Sequence, residues 1–162
     1  MKGENNTGPF LALIGLGSNL NPEKNILEAL RLLSSVVAIR NSSSVYQSSA
    51  IGSSGPDYLN SAVLIETNST LEVLRNDILA PIEEQLDRIR SEDKYMDRTI
   101  DLDVLIYNQT VTDPELWTQA HAAVPAAEIL PDFSNPVTGE KISQAAKRLL
   151  PGKKIQLRSD LP

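Results

Sequence analysis

Residues 95–107 read Tyr-Met-Asp-Arg-Thr-Ile-Asp-Leu-Asp-Val-Leu-Ile-Tyr and predict the β-strand around which the other elements are arranged. Successive side chains of a strand point to opposite faces. Asp101 and Asp103 therefore share one face, and the residues between and beside them form the other. That second face is aliphatic and consists of Ile100, Leu102, Val104 and Ile106.

The two aspartates form a candidate cation site. Their Cα atoms lie about 6–7 Å apart in an extended strand, so their carboxylates can converge on a hard cation that prefers oxygen ligands. A basic run precedes them, and it suits a nucleoside triphosphate, which needs Mg²⁺ on one side and guanidinium groups on the other. The run consists of Arg88, Arg90, Lys94 and Arg98. A solvated acidic strand face with a surface ion-pair network is the alternative.

Composition predicts a single intracellular domain. The 162 residues are 41% hydrophobic and only 4% aromatic, which indicates an aliphatic core. The net charge of −6 and the pI of about 4.8 argue against binding to nucleic acid. The absence of cysteine excludes disulfides, thiolate metal sites and a cysteine nucleophile. Without a long apolar run to cross a membrane, we expect a cytoplasmic monomer or weak homodimer that binds small molecules.

The first half of the chain predicts three strands and a helix after a disordered leader at residues 1–9, with one domain at 10–162. The apolar run at 10–16 is typical of a strand covered on both faces. Asn21-Pro22-Glu23 then has the pattern of an N-cap followed by proline in the first turn. The buried stripe expected of this helix is Ile26, Leu27, Leu30 and Leu33. Residues 36–49 and 57–67 have strand patterns and flank a turn-rich loop at 52–56.

The second half begins with a further helix and ends in an irregular extension. Ser69-Thr70-Leu71-Glu72 has the form of a capping box, and Pro81 predicts a kink or short break within the helix. Beyond residue 108, prolines indicate loops and short helices, with a last helix at 142–149. The order β-α-β-β-α-β predicts an α+β, ferredoxin-like antiparallel sheet with both helices on one face and a C-terminal extension.

Four motifs across residues 11–107 together resemble a known family. They are Leu16-Gly17-Ser18-Asn19, Tyr58-Leu59-Asn60, Glu83, and the signature Arg98-Thr99-Ile100-Asp101-Leu102-Asp103. In this pattern the chain resembles the 6-hydroxymethyl-7,8-dihydropterin pyrophosphokinases, ATP-dependent enzymes of folate biosynthesis. The resemblance implies transfer of pyrophosphate from ATP to the hydroxymethyl group of the pterin, with release of AMP.

The resemblance also implies a role for each matching residue. Asp101 and Asp103 match the positions that hold two Mg²⁺ ions and count as catalytic, together with Arg88, Arg90 and Arg98. The ATP-binding positions are Glu83, Arg88, Arg90, Arg98 and His121, and the pterin-binding positions are Ser48, Ser49, Tyr58 and Asn60. Catalysis of this kind rests on positioning and electrostatic stabilisation of the phosphates.

The chain departs from the family pattern after His121. The segment in which the family carries an arginine and a pterin-stacking phenylalanine is shortened here, and Tyr95 or Trp117 is the expected replacement for the stacking surface. This departure leaves two alternatives to the pyrophosphokinase. One is a catalytically impaired paralogue that binds nucleotide or pterin, and the other is a nucleotidyl transferase of the polymerase-palm kind.

Overall fold

The computed structural model describes residues 8–49, 55–87 and 99–161. A seven-stranded antiparallel sheet forms its centre, in the order β6-β5-β1-β4-β3-β7, with β2 also paired to β4. The strands are β1 (Phe10–Ser18), β2 (Ala38–Ser42), β3 (Tyr46–Ser48), β4 (Tyr58–Thr67), β5 (Asp101–Tyr107), β6 (Thr110–Val111) and β7 (Ile155–Leu157). The helices are α1 (Pro22–Val36), α2 (Leu71–Val73), α3 (Ala80–Gln85), α4 (Glu115–Thr118), α5 (Ala120–Ile129) and α6 (Ile142–Leu149).

The predicted ferredoxin-like arrangement is confirmed by the strand pairing. β1 is central and lies antiparallel to both β4 and β5, and β4 carries β2 and β3 on its other edge. The region that the sequence predicts as one strand at 36–49 is divided into β2 and β3. The short strands β6 and β7, which the sequence does not predict, extend the two ends of the sheet.

Two hydrophobic cores cover the two faces of the sheet. The first core packs the face that carries Ile14, Leu102 and Val104 against α1 and the α2–α3 segment, as the sequence predicts. The second core joins Leu13 and Leu105 to the C-terminal helices. The C-terminal extension therefore forms a helical layer on the opposite face of the sheet. The central strand, β1, is covered on both faces.

A β-bulge changes the facing of the last part of β5. Leu13 pairs with Ile106 whereas Ile14 pairs with Val104, so Leu105 is an extra residue on β5. Leu102 and Val104 face the first core, as predicted, but Ile106 joins the second core. The prediction for Ile106 is wrong because the alternation on which it rests is interrupted by this inserted residue.

The second predicted helix is interrupted where proline predicts a break. Leu74–Leu79 form a π-helical segment between α2 and α3, and the Ala80 N–H donates to the Arg75 carbonyl. Pro81 lies in the first turn of α3, where it has no N–H to contribute. The cap is Thr70 rather than Ser69, because the Thr70 hydroxyl accepts from the Val73 N–H at 3.2 Å.

The other helices agree in part with the bounds and caps predicted from the sequence. α6 has the predicted bounds, whereas α5 is longer than the prolines suggest and contains Pro125 within it. Asn21 precedes α1 in a left-handed conformation and makes no side-chain cap, and Leu27 is 40% exposed rather than buried. The predicted leader falls almost wholly outside the described residues. No helix in the described part of the chain is long and apolar enough to span a membrane.

Candidate active site

A cavity of about 290 Å³ opens on the sheet face that carries both aspartates. Gly17 pairs with Asp101, and Gly15 pairs with Asp103, so the strand beside the aspartates presents no side chain at either position. A Cβ atom at Gly17 would lie 3.5 Å from the Asn60 Oδ1. Gly17 of the Leu-Gly-Ser-Asn motif and Gly15 just before that motif thus keep the floor of this cavity open.

The predicted pterin-binding residues meet the aspartates in this cavity. Ser48, Ser49, Tyr58 and Asn60 all line it. Asn60 is 4% exposed, and its Nδ2 donates to the Ser48 Oγ at 2.7 Å. This hydrogen bond joins β3 to β4 across the cavity wall.

A second cavity of about 480 Å³ lies on the other side of the aspartate pair. Asp101 and Asp103 line both cavities. Arg75 and Asn76 from the π-helical segment line the second one, together with Glu83 of α3. The two cavities therefore meet at the aspartate pair, one on the side of β4 and the other on the side of α3.

Glu83 connects α3 to the edge of β5. It is 4% exposed, and its Oε2 accepts from the Leu102 N–H at 2.9 Å. Leu102 is the residue between the two aspartates. The short strand β6 pairs only with Ile106 and Tyr107, so it does not cover the edge of β5 at Leu102. Glu83, a predicted ATP-binding residue, thus lines the second cavity and also holds the aspartate-bearing strand.

Two further carboxylates approach the aspartate pair. Carboxylate oxygens of Asp103, Asp113 and Glu115 all lie within 4.8 Å of one another. Burial raises the pKa of the Asp103 carboxyl to about 8, and the neighbouring carboxylates add to the shift. Burial also raises the pKa of Asp113, which the Glu115 N–H and the Arg75 charge oppose. An all-oxygen anionic set of this kind suits Mg²⁺.

Comparison with known proteins identifies the family. A family model described as 7,8-dihydro-6-hydroxymethylpterin-pyrophosphokinase (HPPK) matches residues 13–131. The chain belongs to this family. Since the match covers most of the sheet and both cavities, the resemblance seen in the motifs is confirmed.

Relatives at moderate identity support the same assignment. A Synechocystis protein named 2-amino-4-hydroxy-6-hydroxymethyldihydropteridine pyrophosphokinase is 34% identical over 149 residues, which cover 85% of this chain and 75% of the relative. A Haemophilus influenzae protein of the same name is 34% identical over 159 residues, covering 90% of this chain and 97% of the relative.

A solved structure shows that the fold is shared. The Plasmodium falciparum HPPK-DHPS crystallised with pterin and p-hydroxybenzoate superposes with a TM-score of 0.69 at 12% identity. The match covers 90% of this chain and 44% of that one, so this chain spans less than half of the longer protein. At this identity the likeness concerns the fold alone.

Several predicted HPPK residues lie outside the described residues, namely Arg88, Arg90, Tyr95 and Arg98. His121 lies in the first turn of α5 and lines the first cavity, with its Nε2 3.8 Å from a Glu115 carboxylate oxygen. Trp117 packs against the second core and, within the described ranges, lines neither cavity. Trp117 is therefore in the wrong place to stack on a ligand in the first cavity.

Three residues near the aspartate pair are absent from the sequence prediction: Arg75, Asp113 and Glu115. Asp113-Pro114-Glu115 has the pattern of a helix start, and the Glu115 N–H indeed donates to the Asp113 Oδ1 at 3.0 Å. Only the tight hairpin between β5 and β6 turns this helix start back onto Asp103. Arg75 lines the second cavity because it lies in the π-helical segment. Pro81 is the one feature of the sequence that signals a break in this helix.

Proposed function

We propose that this chain transfers pyrophosphate from ATP to the hydroxymethyl group of 6-hydroxymethyl-7,8-dihydropterin, with Asp101 and Asp103 holding two Mg²⁺ ions between the substrates. Membership of the HPPK family carries the reaction class. The observation that carries the site is the meeting of two cavities at the aspartate pair, because a transfer between two substrates needs both reacting groups at one point.

The pterin occupies the first cavity in this proposal. Asn60 offers its Oδ1 to the ring edge, since its Nδ2 already donates to Ser48. Tyr58 lines the same cavity and provides an aromatic surface. Ser48 and Ser49 close the wall beside it. This places the hydroxymethyl group toward Asp101 and Asp103.

The nucleotide occupies the second cavity. Of the described residues that line it, Arg75 is the one cation, and the carboxylates of Asp101, Asp103, Asp113 and Glu115 dominate the wall. A triphosphate cannot approach such a wall unless cations offset the charge. We therefore assign Arg88, Arg90 and Arg98 to the phosphates, because each guanidinium group can donate two hydrogen bonds to phosphate oxygens.

The transfer itself balances as a displacement at the β-phosphorus. The pterin hydroxymethyl oxygen forms a bond to that phosphorus, the bond from it to the α,β-bridging oxygen breaks, and AMP leaves. The hydroxyl proton passes to solvent. Mg²⁺, when bound, offsets negative charge on the transferring group and on the leaving oxygen. Asp101 and Asp103 serve to hold it, and the flanking Asp113 and Glu115 strengthen the negative potential there.

Identification of the nucleotide product tests this proposal. Incubation with ATP, Mg²⁺ and 6-hydroxymethyl-7,8-dihydropterin, followed by ion-exchange chromatography, should give AMP in equal amount to the pterin product. Nucleotide and pterin binding without AMP would identify the impaired paralogue, which the shortened segment after His121 favours. Release of free pyrophosphate with a nucleotidylated product would identify a nucleotidyl transferase.

We also propose that this protein is cytoplasmic and is a monomer or a weak homodimer. The acidic composition and the absence of cysteine support it. Sedimentation of the purified protein across a hundredfold concentration range would distinguish a monomer from a dimer.

A further inference from the structure

The strand β7 lies beyond residue 131, where the family match ends, yet it forms one end of the sheet. β7 pairs antiparallel with β3, placing Ile155 opposite Ser48 and Gln156 opposite Gln47. The Arg158 N–H extends the pairing by donating to the Val45 carbonyl at 2.8 Å. The three-residue strand β3, which carries the cavity-lining Ser48, is thus enclosed between β4 and β7.

Arg158 joins this end of the chain to two other elements. Its Nη1 donates to the Gln47 Oε1 at 3.1 Å and to the Glu23 Oε1, in the first turn of α1, at 3.4 Å. Its Nε and Nη2 form a fork with Asp160 at 2.9 and 2.8 Å. The side chain is 24% exposed. Because Asp160 holds the guanidinium plane, the remaining nitrogen is aimed at Gln47.

Gln47 passes the connection to the start of β4. Its Nε2 donates to the Asp57 Oδ2 at 3.0 Å, and Asp57 directly precedes Tyr58. The Gln47 side chain lies on the opposite strand face from those of its neighbours Tyr46 and Ser48. The contacts through Gln47 therefore support, from behind, the strand pair that holds Tyr58 and Asn60.

We propose that Arg158 is a positioning residue for the pterin side of the site. Through Gln47 and Asp57 it fixes β3 against the start of β4, and so sets the spacing of Ser48, Tyr58 and Asn60 in the first cavity. The inference rests on the proposed function, because it takes the first cavity to be the pterin cavity. It adds a residue that neither lines that cavity nor falls within the family match.

The test compares ligand affinities of full-length variants. Dissociation constants for 6-hydroxymethyl-7,8-dihydropterin and, separately, for a non-hydrolysable ATP analogue with Mg²⁺ are measured by calorimetry. Arg158→Ala should weaken pterin binding about three- to tenfold and leave nucleotide binding within about twofold. Gln47→Ala should give the same loss, and the double variant should be no weaker than the worse single variant, because both changes break one chain of contacts.

Two further variants separate positioning from general stability. Arg158→Lys keeps the charge but not the planar fork, so it should recover pterin binding only in part. Arg40→Ala is the matched control, since Arg40 forms a similar fork with Glu66 of β4, at 3.1 and 2.7 Å, at the far end of that strand. The control should change neither dissociation constant.

Three results would overturn the inference. Unchanged pterin affinity in both Arg158→Ala and Gln47→Ala would show that the contacts do not position the cavity. Equal loss for both ligands would show a general structural role instead. Failure of the parent protein to bind the pterin would overturn the proposed function as well. Gln47→Ala leaves the β7 backbone pairing in place, so it remains informative even when Arg158→Ala does not fold.

Discussion

Asp103 is the residue at which burial and like charge coincide. Its carboxyl has a pKa raised to about 8, whereas the ordinary value is 3.8. A carboxyl whose pKa is raised by folding binds its proton more tightly in the folded protein than in the unfolded protein. Its contribution to stability is present below about pH 4 and is lost as the pH rises through about 8.

This shift predicts a pH dependence of the metal-free protein. Between pH 5.5 and pH 8.5, in the presence of a chelator, the parent should lose on the order of 1–3 kcal/mol of unfolding free energy relative to Asp103→Asn, with solvent screening reducing the effect. Urea titrations at both pH values measure it. Parallel pH profiles for the two proteins would contradict the account of Asp103.

Asp103→Asn should also lower turnover by more than tenfold, since the cation site loses a charged ligand.

Gly17 predicts a separable effect on the pterin side. A methyl group there would lie 3.5 Å from the Asn60 Oδ1 and 3.7 Å from the Tyr58 ring, both ordinary contact distances. Gly17→Ala should therefore fold with a melting temperature close to that of the parent and bind the pterin about tenfold or more weakly, because the methyl occupies the cavity floor. Calorimetry with each ligand measures this, and a pterin dissociation constant within twofold of the parent would contradict the location of the pterin.

At the scale of elements, the contact between α3 and β5 determines how the aspartate strand is held. The Glu83 carboxylate accepts the Leu102 N–H at a nearly inaccessible position. A buried donor that loses its partner costs about 1–3 kcal/mol. Glu83→Leu should therefore destabilise the protein by about that amount, measured by urea unfolding at pH 7.

Glu83→Gln is the matched control for this contact. The glutamine carbonyl retains an acceptor for the Leu102 N–H, so its loss of stability should be smaller. Its turnover reports separately on the carboxylate charge beside the second cavity. Equal stability of Glu83→Leu and the parent would show that the edge of β5 is satisfied in another way.

Local sequence predicts elements well where one physical signal dominates. α6 has its predicted bounds because its apolar spacing and flanking residues agree. β7 is missed because Ile155–Leu157 form a strand only through pairing with β3. The bulge at Leu105 is likewise set by the pairing of β5 with β1, which local propensity does not contain.

At the scale of the whole molecule, the family motifs predict which residues come together on one face. Asp101, Tyr58 and Asn60 do so because β1 separates β4 from β5 by one strand and carries glycine between them. The carboxylates Asp113 and Glu115 are not predicted, because their approach to Asp103 depends on the β5–β6 hairpin and α4. Long-range placement of this kind follows from topology rather than from spacing in the sequence.

The fate of the β-phosphate of ATP tests the central claim most directly. ATP carrying an isotopic label at that phosphorus is incubated with Mg²⁺, the dihydropterin alcohol and the protein, and the labelled product is identified. The account predicts that the label moves to the pterin, that the AMP is unlabelled, and that Asp103→Asn slows the transfer by more than tenfold. Label that remains in ADP, or that leaves as free pyrophosphate, would contradict it.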